Sequence, residues 1–119
     1  MKKATTYNKL VRDRMPDIIA DHGERPEFVI LDEIGFQKSL RQKLIEEARA
    51  LAEARAVRDV ENQLIDLYEI LNTFEKVYHF RHSDLIDWQE KKRQERGGFD
   101  KRIYLIRTVP RSEIKRPKS

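Results

Sequence analysis

The chain has 119 residues, 39% of them charged and 39% hydrophobic, with no cysteine. That length holds one domain around one core, and the missing cysteines exclude disulfides and thiolate metal sites. The net charge of +4 belongs to one end: residues 101–119 carry seven bases against one acid, leaving 18 bases and 20 acids in residues 1–100, so the body lacks the basic excess of a nucleic-acid-binding domain.

The start, Met1-Lys2-Lys3 followed by polar residues, has no apolar segment behind it. This reads against a secretory signal, and with no apolar run near the roughly 18 residues of a membrane span it predicts a cytoplasmic protein. Tyr7, Leu10 and Val11 follow. Asp13 is placed to cap a short helix with Pro16 in its first turn, and Gly23 to stop it. Residues 24–31 read as a connector, broken at Arg25-Pro26 and ending in the apolar, strand-like Phe28-Val29-Ile30-Leu31.

Asp32 opens a long helix to about Arg55, with Ile34, Leu40, Leu44, Ala48, Leu51 and Ala52 recurring at helical spacing. A second long helix is predicted from about Asp59 to Tyr78, with Leu64, Leu67, Leu71, Phe74 and Tyr78 as its apolar stripe. The short junction between them favours an antiparallel hairpin. Ser83 is a candidate N-cap for a third helix, through Trp88 to about Arg96, which Gly97-Gly98 ends. Residues 102–107 then form a candidate short strand, to pair with residues 28–31. The expected architecture is all-α, a helical bundle on a long antiparallel hairpin with a short strand pair. It comprises a helical domain over residues 1–109 and a basic, flexible tail over residues 110–119. A short basic terminus is most often a solvated end; contact of the tail with nucleic acid or an acidic surface is the competing reading.

The chemistry-bearing residues lie on the two long helices. With Glu47 as zero, Ala50 lies about 60° to one side, Glu46 about 100° and Glu53 about 120° on that same side. On the second helix Asn62, Gln63, Asp66 and Glu69 share an arc of about 120°. An antiparallel hairpin lets the two patches face each other, and carboxylates presented inward from two helices suit magnesium, which takes oxygen ligands and keeps several waters. The bland alternative is solvated surface charge, with Glu46 and Glu47 beside Lys43 or Arg49. His22, His79 and His82 show no mutual ligand spacing. Trp88 reads as a core or interface side chain more than a base-stacking one.

The stretches Tyr7-Asn8-Lys9-Leu10-Val11-Arg12-Asp13-Arg14-Met15-Pro16, Lys43-Leu44-Ile45-Glu46-Glu47, Leu64-Ile65-Asp66-Leu67-Tyr68-Glu69 and Glu95-Arg96-Gly97-Gly98-Phe99 together resemble the MazG-like, all-α nucleoside triphosphate pyrophosphohydrolases. The likeness is to the small single-domain, phosphoribosyl-ATP pyrophosphohydrolase-like branch. It implies a magnesium-dependent hydrolase of house-cleaning type that splits a nucleoside triphosphate between its α- and β-phosphates, and a homodimer or higher homo-oligomer. It implies Glu47 and Asp66 as catalytic and metal-binding residues, and Lys9, Arg12, Lys92 and Arg96 as substrate-binding ones. Arg14, Lys91 and Arg93 read instead as members of surface ion pairs. The carry-over is incomplete. Two of the four acidic positions of the family motif are Ala50 and Gln63, and alanine offers no ligand while glutamine offers only a neutral carbonyl. Glu46, Glu53 and Glu69 are neighbours that can complete a ligand set, with Glu46 and Glu69 the added metal candidates. The alternative implication is a catalytically impaired relative that binds a nucleotide or a protein.

Overall fold

In the computed structural model, residues 3–113 are described. They form four α-helices: α1 (Met15–Asp21), α2 (Glu33–Glu53), α3 (Val57–Val77) and α4 (His82–Arg96), with a 3-10 turn at Arg111–Glu113. The chain is all-α, and no strand occurs among the described residues. The expected strand pair is therefore corrected. Residues 28–31 and 102–107 carry no ladder, Arg102 has the left-handed φ of 58°, and an apolar run without a ladder is not a strand. Two compact units divide between Phe80 and Arg81. The predicted tail at 110–119 begins with Pro110 and the 3-10 turn; its residues 114–119 lie outside the described part of the chain.

The first unit holds α1, α2 and α3. Its opening turns at Asn8, which has φ 46°, a left-handed conformation that asparagine tolerates better than most residues. α1 begins one residue later than Asp13 would set it: Arg14 is the N-cap and no side chain caps the end. Gly23 closes it as expected, with φ 87°. Its N–H donates to Ala20 O and that of Glu24 to Ile19 O, the paired bonds of a Schellman motif.

α2 and α3 are both 21 residues long, and only Ala54, Arg55 and Ala56 separate them, so they return antiparallel. Asp32 caps α2, accepting the Gly35 N–H at 2.8 Å. A Cβ at Gly35 would lie 3.0 Å from that carboxylate oxygen, so the glycine that lowers helix propensity also makes room for the cap. In an antiparallel pair, residues equally far from the connector lie level. Leu40 and Ile70 are each fifteen from Arg55, and they are the two buried apolar residues among those described. Leu44, Leu51, Leu67 and Phe74 fall on the same inward faces and are half-buried.

The second unit holds α4 and the segment after it. α4 starts at His82 with Arg81 as its N-cap and without a side-chain cap. Ser83 is thus inside the first turn, because Arg81 already has the extended backbone and its carbonyl accepts from Asp84 and Leu85. Gly97 ends α4 at φ 81°. Trp88 is not in a core; it is 60% exposed, with the Lys91 ammonium 4.8 Å from its ring centroid.

Candidate functional site

The level rule that matches Leu40 with Ile70 also matches Glu47 with Gln63, each eight residues from Arg55. Both lie on the facing sides of the hairpin. The Glu47 side chain is only 12% exposed, and Lys43 reaches its Oε1 at 3.4 Å across one helical turn. The Gln63 Oε1 is buried and accepts no hydrogen bond. A buried carbonyl oxygen without a donor is costly, and this one stands one turn before Asp66 on the same face.

Around this pair the opening segment ties the two helices together. Lys9 donates to Glu46 Oε1 on α2 at 3.1 Å. Three residues on, Arg12 donates through Nη2 to Asp66 Oδ1 on α3 at 2.7 Å, and its Nη1 lies 4.0 Å from Glu69 Oε1. Lys43 also approaches Glu46 Oε2 at 3.6 Å. Because Lys9 and Arg12 are so close in sequence, Glu46 and Asp66 must lie on one flank of the hairpin. Three cations thus meet four carboxylates, Glu46, Glu47, Asp66 and Glu69. The Lys9 hydrogen bond is the main cause that holds the Glu46 carboxyl below the ordinary value of 4.5; desolvation opposes it, and the charges of Lys43 and Lys9 add to the lowering.

Of the residues singled out from sequence, Lys9, Arg12, Glu46, Glu47, Asp66 and Glu69 come together here. Glu53 is the exposed last residue of α2, and Ala50, half-buried, brings no polar atom. Lys92 and Arg96 are exposed on α4, in the second unit. Arg93 makes the surface pair expected of it, with Glu90 at 3.6 Å, whereas Lys91 covers Trp88 instead. Lys43 was legible only as a neutralising neighbour, although its spacing of three and four residues to Glu46 and Glu47 is the sequence signal for its place here. The orphaned Gln63 oxygen has no sequence signal at all.

The donors on the hairpin, carboxylate oxygens and one amide carbonyl, are of the hard type that magnesium takes. Among the described residues no three carboxylate, imidazole or thiolate groups converge on one point. No described helix is long and apolar enough to cross a membrane. No protein-family model, curated protein or solved structure matches the chain.

Proposed function

We propose that this protein is a nucleotide pyrophosphohydrolase of the MazG-like type, with its site on the flank of the α2–α3 hairpin where Lys9 and Arg12 cross it. The observation that carries the reading is the pair of ion pairs Lys9–Glu46 and Arg12–Asp66. They join three separate stretches of the resemblance, two of them acidic and one basic. Glu47, Asp66 and the free carbonyl of Gln63 would hold a magnesium ion, with Glu46 and Glu69 flanking. The ion, when bound, supplies charge neutralisation at the phosphates and a more acidic water. Lys9 and Arg12 bind phosphate oxygens, for which a guanidinium is a bidentate partner. In the reaction water forms a bond to phosphorus, the bond to the bridging oxygen breaks, and monophosphate and pyrophosphate leave. The proton from water passes to an ionised carboxylate, the role of Glu47 or Asp66. A reducing cytoplasm suits a chain without cysteine.

A second copy of the chain is part of this proposal. Val57, Leu64, Ile65, Tyr68 and Leu71 lie within an arc of about 120° on the side of α3 turned away from Ile70, and all five are exposed. Val57, Leu64 and Leu71 repeat every seven residues, the spacing of a self-packing seam. Covering roughly 100 Å² of each in both copies buries about 1,000 Å², the lower bound for a specific interface.

The second reading, an impaired relative that only binds, draws on Ala50 and on the neutral oxygen of Gln63. Pyrophosphate release from a panel of nucleoside triphosphates, with and without magnesium, separates the two. Release that needs magnesium and falls at least a hundredfold in Asp66→Asn is the expected result. Absence of release from every substrate, in folded protein, would reject the enzyme and leave the binding reading.

A further inference from the structure

The cations that cross the hairpin are bonded to carboxylates that, in the proposed reading, hold or flank a metal ion. Lys9 sits on Glu46, and Arg12 on Asp66 with Glu69 beyond. With Lys43, the cluster sums to three positive and four negative charges, a net of −1. A divalent ion entering with every pair in place would turn that to +1 and set cation against cation. From this geometry we infer that the opening segment is an exchangeable strap: Lys9 and Arg12 are internal counter-ions that give up their carboxylates only when phosphates arrive to receive them. The inference rests on the proposed nucleotide site and adds an order to it. The protein takes a metal–nucleotide complex and binds the free metal poorly.

Three observations favour exchange over a fixed brace. Both pairs are open to solvent, with 42% of the Lys9 and 53% of the Arg12 side chain exposed, and exposed pairs contribute little and re-form readily. Arg12 makes one short contact, its second lying at 4.0 Å, so most of its five donors are available to a planar oxyanion. Asn8, at φ 46° immediately before Lys9, gives the strap a turn at which to pivot. Charge alone sets the sign of the coupling: whatever removes a strap cation relieves competition at the carboxylates and deletes a partner of the phosphates.

Opposite shifts are therefore the signature, and a brace that merely held the fold would weaken both kinds of binding. Mn2+, which electron paramagnetic resonance counts directly, is titrated first alone and then with a non-hydrolysable nucleoside triphosphate analogue. Wild type is compared with Lys9→Gln, Arg12→Gln and the charge-keeping Arg12→Lys, and circular dichroism verifies that each variant is folded. For each Gln variant the affinity for Mn2+ alone should rise about fivefold, and that for the analogue with Mn2+ should fall by about the same factor. Arg12→Lys keeps the charge and loses the fork, so its affinity for Mn2+ alone should stay near wild type while that for the analogue falls less than in Arg12→Gln. Binding that shifts in one direction for both ligands, or in neither, overturns the strap and leaves the proposed site standing. Failure of wild type and all variants to bind either ligand overturns the strap and the proposed site together.

Discussion

At His79 the chain leaves α3 through a left-handed turn, with φ 59°. Its N–H bonds to Lys76 O and the Phe80 N–H to Glu75 O, so histidine occupies the place that glycine holds after α1. The return brings the Phe80 ring to 6.0 Å from that of Tyr78, which stacks at 6.5 Å on Phe74. Arg41 bonds the Tyr78 hydroxyl and lies over both Phe74 and Tyr78. A Cβ in the left-handed region costs about 1 kcal/mol, so His79→Gly should raise the unfolding free energy by up to about 1 kcal/mol in urea titrations. A lower stability would mean that the imidazole makes a contact worth more than the strain. Glu46 makes a second residue-scale prediction. Its carboxyl is held below 4.5 in the fold, so the folded state binds fewer protons than the unfolded one near that value. The stabilisation is complete above the unfolded pKa and is lost as pH falls through the folded one. Thermal melts should show wild type exceeding Lys9→Gln at neutral pH, with the gap closing below pH 4.5.

At the scale of the element, α2 is the better specified helix. Asp32 supplies a side-chain cap, and replacing it with alanine should cost about 1 kcal/mol in chemical denaturation; no change would show that water serves the α2 amides equally well. α3 has no side-chain cap and is apolar on two faces. One face packs Leu67, Ile70 and Phe74 towards α2, and the other exposes Val57, Leu64, Ile65, Tyr68 and Leu71. Spacing alone merges Leu64 and Leu71 with Leu67 and Phe74 into one stripe, since all recur at three and four residues. Deciding which of them face α2 needs the register of the hairpin. The same register brings Glu47 level with Gln63.

For the molecule as a whole, the short list of buried residues is the controlling fact. Among the described residues only Leu40, at 2% exposed, and Ile70, at 7%, are buried apolar side chains, too little apolar burial for a self-sufficient core. The proposed seam on α3 is then a matter of folding as well as of assembly. Sedimentation of wild type at micromolar concentration should give a dimer or larger species, and Leu64→Asp should shift it towards monomer with lower helix content. A wild-type monomer with full helicity would reject the seam.

Local chemistry determined much of this protein before any tertiary contact was known. The helices, the glycine stop after α1, the Asp32 cap, the short hairpin and the uneven charge all follow from residue type and spacing, because capping, left-handed turns and helical periodicity act over a few residues. The same locality left the start of α4 two residues off, at Ser83 and not Arg81, and put strands at residues 28–31 and 102–107, since a strand exists only through a neighbour that sequence spacing does not name. The acidic faces could be drawn from angles, but the partners of their carboxylates could not. Lys9 is 37 residues from Glu46 and Arg12 is 54 from Asp66, and the path of the opening segment over the hairpin decides those pairs. Only tertiary structure, likewise, left the Gln63 oxygen buried without a donor, because satisfaction of a polar atom depends on everything packed around it.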